Sequence, residues 1–315
     1  MKKINRQAFI LLRHFLILLL LFQTNPGNSQ TTTCYDNQKG TVYESLRINS
    51  KLLGEDVKYS VYLPSGYDST TEKYPVLYLL HGFGGNETSW VRDSHIQLLM
   101  DSLISYKIIH PFILIIPDGR NSYFINNYNN TFRYEDFFIN ELIPYIDSAY
   151  RTLPERNFRG IAGLSMGGYG AIILPVKHPD IFGCSVALSA ALRTDETFIH
   201  VSPKKYSINF AEIYGDSLNG QQRITLHWKE NSPFYLVNKQ TANDLKKVRW
   251  YIDCGMQDFL LPGNETFHRL LLDLDIPHEY HMRVGTHNIQ YWNMEIPYGL
   301  EFFSSHLPMP EFTDH

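Results

Sequence analysis

The chain has 315 residues, of which 43% are hydrophobic by type, 19% charged and 14% aromatic. That is enough apolar material for a large core without a disulfide or metal staple, and 3 cysteines exclude a disulfide scaffold. Residues 1–29 carry four basic side chains and no acid, so the formal net charge of −4 becomes −8 for the remaining 24 basic and 32 acidic residues, which argues against a nucleic-acid surface.

In chain order, the basic start (Lys2, Lys3, Arg6, Arg13) is followed by an apolar run from Phe15 to Phe22 and then by Gln23-Thr24-Asn25-Pro26. Small residues at Gly27 and Ser29 precede a cut before Gln30, the layout of a signal peptide. The run is far shorter than the roughly 20 residues of a membrane span, and no cysteine sits at the cut for a lipid anchor. Residues 1–29 are therefore read as a signal peptide. The expected protein is secreted or periplasmic, without stable membrane insertion after cleavage.

From Thr41 onwards strand-like and helix-like segments alternate. Residues 57–63 are roughly period-2 and end in the turn Pro64-Ser65-Gly66. Short apolar runs follow at 76–80, 112–116, 160–163, 184–188 and 248–252, bounded by Gly, Pro and Asp, as suits strands buried on both faces. Helix-length stretches at 96–109, 134–150, 166–177 and 263–274 lie between or after them. The alternation predicts βαβ units in one doubly wound, mostly parallel sheet, and residues 30–315 are read as one α/β domain. Residues 191–247 interrupt it; they are polar and aromatic with no clean period, and are expected to be an insertion that serves as a lid or binding loop.

The chemistry concentrates at Gly163-Leu164-Ser165-Met166-Gly167, a G-x-S-x-G sequence between the run at 160–163 and the helix at 166–177. A serine there sits on a strained strand-to-helix turn where flanking glycines let the backbone crowd, so Ser165 is the candidate nucleophile. The expected chain order is serine, acid, histidine. Asp253 and Asp258 both follow the strand at 248–252; Asp253 continues it, whereas Asp258 lies in the loop beyond its carboxyl end and is the preferred acid. His287, in Gly285-Thr286-His287-Asn288 after the strand-like 279–284, is the candidate base, and His278 and His281 read as structural. His81-Gly82-Phe83-Gly84-Gly85 follows the first buried strand, where an oxyanion loop belongs, with a second N–H from Met166. Trp90, Trp228 and Trp292 are candidate substrate contacts, since aromatic faces stack on sugar or phenolic rings. No compact His/Cys/Asp spacing calls for a metal, and no cofactor is expected.

Taken together, Val61-Tyr62-Leu63-Pro64, residues 74–82, Pro117-Asp118-Gly119, residues 141–146, residues 163–168 and Gly285-Thr286-His287-Asn288 resemble the esterase family of the α/β-hydrolase superfamily. That family includes S-formylglutathione hydrolases of the esterase D type, feruloyl and acetyl-xylan esterases, and the antigen 85 mycolyltransferases. The resemblance implies an α/β-hydrolase fold, Ser165, Asp258 and His287 as the triad, and Phe83 and Met166 as oxyanion donors. It also implies ester hydrolysis through an acyl-enzyme, on a small-molecule or carbohydrate ester, with export pointing to acyl esters of plant polysaccharides. Acyl transfer to a sugar hydroxyl and a non-catalytic carbohydrate-binding role are the alternatives.

Overall fold

The computed structural model describes residues 39–308; the basic leader, the expected cut and Cys34 lie outside the described residues. Eight strands form one sheet: β1 (Thr41–Ser50), β2 (Glu55–Leu63), β3 (Val76–Leu80), β4 (Ile113–Pro117), β5 (Arg159–Leu164), β6 (Cys184–Leu188), β7 (Arg249–Gly255) and β8 (His278–Arg283). Their spatial order is β1-β2-β4-β3-β5-β6-β7-β8. The β1–β2 and β2–β4 pairs are antiparallel, and every pair from β4 to β8 is parallel. β1 extends the sheet beyond the first strand read from the sequence, through a turn in which Gly54 takes φ 69°.

The unbroken apolar strands follow from burial on both faces. In β3, Val76, Tyr78 and Leu80 point into one core, while Leu77 and Leu79 point into the other. The first core is covered by α2 (Ile143–Ala149), α3 (Met166–Lys177) and α4 (Leu261–Asp273), through Ile146, Ile172 and Leu271 among others. The second is covered by α1 (Ile96–Ser105) and α5 (Ile289–Ser305), through Leu103, Leu300 and Phe303. Each such side chain contributes about 1.5–3 kcal/mol on burial, so both helical layers hold the sheet in a fixed frame. β8 closes one edge with His278, Glu279, His281 and Arg283, a polar rim that discourages further strand pairing.

The stretch 191–247 differs from the irregular loop expected of it. It is a chain of short helices, among them Asp195–Ile199, Pro203–Asn209, Ala211–Tyr214, Leu226–Glu230 and Pro233–Leu236. Thr194, Ser202 and Thr225 cap three of them by accepting the N–H of Thr197, Lys205 and Trp228. Such short helices show too few turns to reveal a period; packing between Phe198, Tyr206, Phe210, Tyr214 and Trp228 holds them instead. Buried Arg223 ties the stretch together by donating to the carbonyls of Phe198, Ile199 and Val201. Among the described residues no helix is long and apolar enough to cross a membrane. Cys184 and Cys254 are free and buried, and burial pushes both thiols far up, so neither is a ready nucleophile.

Candidate active site

Ser165 joins β5 to α3 at φ 54°, ψ −112°, a backbone conformation that L-residues rarely adopt. Three bonds hold it there. Its N–H donates to the Leu188 carbonyl at 2.9 Å, and its own carbonyl accepts from Ala191 at 2.9 Å and Tyr169 at 3.0 Å. The glycines are sterically required: a Cβ on Gly163 would come within 2.5 Å of the Gly167 backbone, and one on Gly167 would overlap the Leu80 carbonyl oxygen.

The structure brings Ser165, His287 and Asp258 into one hydrogen-bonded chain. Ser165 Oγ lies 2.9 Å from His287 Nε2, and His287 Nδ1 lies 2.8 Å from Asp258 Oδ2. Since an ionised carboxylate only accepts, Nδ1 carries the ring proton and donates to Asp258, leaving Nε2 to accept the serine hydroxyl. Burial acts to raise the Asp258 carboxyl, but the His287 hydrogen bond and the Leu260 N–H at 2.8 Å outweigh it, and the net direction is downward. The His287 ring sits between Phe259 and Trp292, at centroid distances of 4.7 and 4.8 Å.

His81 plays a different part. Gly119 N–H donates to its Nε2 at 2.9 Å, so Nδ1 carries the proton and donates to the Gly82 carbonyl at 2.8 Å. Burial lowers its pKa, keeping the ring neutral as a bracket between the loops at 81–85 and 117–119. Gly84 N–H is fixed in turn by the Asn121 side chain at 2.8 Å. Phe83 lines the cleft together with Ser165, and Met166 is the first residue of α3, whose N–H has no preceding turn to accept it.

A cleft of about 750 Å³ opens over Ser165 and His287, lined among others by Phe83, Trp90, Tyr123, Arg193, Lys205 and Trp292. Trp90 and Trp292 thus reach the cleft. Trp228 does not: it stacks on Phe198 at 3.8 Å and donates its indole N–H to Asp195, inside the packing of the 191–247 helices. Sequence reasoning passed over Tyr123, Arg193, Lys205 and Phe259, which come from four separate segments and share no local pattern. Asn264-Glu265-Thr266 has the form of a glycosylation acceptor, but Asn264 is buried and donates to the Ala190 and Leu260 carbonyls, so its amide is closed off.

Asp253 is held elsewhere. Its carboxylate is fully buried at the end of β7, accepting from the Tyr291 hydroxyl and the Arg283 guanidinium, each at 2.5 Å. Arg283 also donates to Glu295 at 2.6 Å. Burial pushes both acids up, Glu295 to about 8 with the Asp253 charge as the second cause, and Arg283 only partly offsets this.

A mixed eight-stranded sheet with helices on both faces and a strained turn after its fifth strand is the α/β-hydrolase fold, and the esterases among its relatives and solved neighbours make this a carboxylesterase-type enzyme. The profile of the putative esterase family matches residues 50–303, and the chain belongs to that family. Among similar sequences, an endo-1,4-β-xylanase/feruloyl esterase of Xylanibacter ruminicola is 34% identical over 58% of this chain, a match that spans 24% of that larger protein. An acetyl esterase of Caldicellulosiruptor saccharolyticus is 29% identical over 75% of this chain and 86% of its own length. Among solved structures, a ferulic acid esterase superimposes with a TM-score of 0.73 at 30% identity, over 86% of this chain and all of that one.

Proposed function

We propose that this protein is an exported serine esterase that cleaves acyl esters of plant polysaccharides, feruloyl or acetyl, through a covalent acyl-enzyme. The unbroken chain from Ser165 through His287 to Asp258, lying along the cleft, carries this reading. His287 takes the hydroxyl proton as Ser165 Oγ attacks the ester carbonyl, and the carbonyl oxygen becomes an oxyanion. The N–H groups of Phe83 and Met166 stabilise that charge, a contribution worth about 3–4 kcal/mol per donor in related chemistry. His287 then gives its proton to the leaving alcohol, and water repeats the sequence in reverse to free the acid. Asp258, held ionised by its hydrogen bonds, fixes the tautomer and offsets the imidazolium charge.

The substrate class rests on the feruloyl and acetyl esterases among the relatives and on the two tryptophans at the cleft. Export rests on the basic and apolar leader, and the mass of the mature N-terminus in the native host tests it directly. For the chemistry, 4-nitrophenyl acyl esters, methyl ferulate and acetylated xylan form the test panel. Turnover that disappears in Ser165→Ala together with fluorophosphonate labelling is the expected result. Cleavage of none of them, or turnover that survives Ser165→Ala, would overturn the proposal.

A further inference from the structure

Two cations stand on the cleft wall without a counterion. Arg193 and Lys205 both line the cleft that holds Ser165, and among the described residues neither forms an ion pair, in contrast to Arg159, Lys177 and Arg283. They rest on ring faces instead: the Arg193 guanidinium lies 5.5 Å from the Phe210 ring centre, and Lys205 Nζ lies 4.9 Å from that of Phe259. The Arg193 Nε is buried with no hydrogen-bond partner. Burial acts to lower both pKa values, and for Lys205 the neighbouring charge of Arg193 adds to this, so the two cations are close enough to repel.

The scaffold holds this arrangement in place. Arg193 follows Ala191, whose N–H donates to the carbonyl of Ser165 at 2.9 Å, so the segment that presents the guanidinium is anchored to the nucleophile itself. Lys205 sits in the Pro203–Asn209 helix, capped by Ser202, and Asn209 from the same helix lines the cleft beside it. The acid on the cleft lining, Asp93, belongs to the segment with Trp90 and Ser94 and pairs with neither cation. The chain as a whole is acidic, at −4, so this is a local positive feature and no part of a basic surface.

A half-buried guanidinium next to an exposed ammonium, with no ion-pair partner for either among the described residues, is left without a neutralising charge, and a planar guanidinium matches a carboxylate in two parallel hydrogen bonds. We propose that Arg193 and Lys205 form an anion-binding subsite of the cleft that recognises a carboxylate carried by the substrate ester. The inference rests on the hydrolase reading and narrows it to esters bearing an acid, either on the acyl half, as in a dicarboxylic half-ester, or on the alcohol half, as in a uronic acid residue.

The test compares kcat/KM for matched esters. Mono-4-nitrophenyl succinate against 4-nitrophenyl butyrate probes the acyl half, and O-acetylated methyl glucuronoside against O-acetylated methyl glucoside probes the alcohol half. In one of these series the wild type should favour the acid roughly 10- to 100-fold, the worth of a charge-assisted pair, and the ratio should shrink as salt is added. Arg193→Ala and Lys205→Glu should bring that ratio towards one, and because it is a ratio a general loss of activity cancels. Lys205 is exposed, so its variant tests the idea even if Arg193→Ala fails to fold. A wild-type ratio near one in both series, or one unmoved by both substitutions, would overturn the subsite while leaving the esterase standing. Calorimetry with methyl glucuronoside and succinate separates the reverse case. Binding that Lys205→Glu abolishes, in a protein that cleaves no ester, would support the anion site and sink the hydrolase reading.

Discussion

Two carboxylates at the end of one strand meet opposite fates. Asp258 lies one loop beyond β7, receives the His287 and Leu260 N–H groups, and is driven down, so it stays ionised next to the cleft. Asp253 lies within β7, sealed from water, and shares Arg283 with a second buried acid, Glu295; both are driven up. Burial opposes ionisation at both sites: two donors outweigh it at Asp258, whereas at Asp253, deeper in the sheet, the Tyr291 hydroxyl and Arg283 do not. The first arrangement suits the proposed relay, and the second ties β7 to β8 and α5.

Substitution can break this contrast. The largest expected effect is that of Asp258→Asn, which should lower kcat roughly 10⁴-fold through loss of the histidine tautomer, with a smaller fall in the urea midpoint than Asp253→Asn causes. Asp253→Asn should do the converse. Disturbing a buried ion pair costs on the order of 3 kcal/mol, seen as a lower urea midpoint, while kcat of the folded fraction stays within about threefold of wild type. An Asp253→Asn enzyme with the kinetic defect foreseen for Asp258→Asn would reverse the two roles.

Acidity sharpens the contrast next. The folded pKa of Asp258 is depressed, so its contribution to stability is present above the unfolded value of about 3.9 and is lost as pH falls through the lower folded one. Glu295 has the opposite sign. Raised from 4.5 to about 8, it keeps a proton that the unfolded chain releases, so its effect on stability worsens as pH climbs between those values. Thermal melts of Glu295→Gln should therefore gain on wild type from pH 5 to pH 8, and a constant offset would contradict that sign. The smallest effect expected is a rise of several-fold in KM, with near-normal stability, for Trp292→Phe at the cleft; Trp228→Phe, remote from it, should leave KM unchanged.

What could be read from the chain followed how tightly sterics constrain it. The turn at Ser165 admits so few residues beside it that Gly163 and Gly167 are nearly forced, and they stand out in sequence. Asp258 was separable from Asp253 because a strand end and a loop differ in what a side chain can reach. The alternating two-faced burial of β3 and its neighbours left runs that only a covered sheet explains. Local sequence carries no such mark for Trp228 and Trp292, whose settings diverge only through long-range packing. The same is true of Arg193 and Lys205, which meet at the cleft because short capped helices fold back over it.

The loops after β7 and β8 are laced to each other. Met256 and Gln257 donate their N–H groups to the carbonyls of Arg283 and Gly285 at 2.7 and 2.9 Å, and the Gln257 side chain accepts the Gly285 N–H at 2.9 Å. Asp258 and His287 therefore travel on a single cross-stitched unit. For anyone recombining this scaffold with a relative, residues 255–258 and 283–287 form one cassette: a graft that exchanges either loop alone cuts the stitching, and one that carries both imports the spacing between carboxylate and imidazole ready-made.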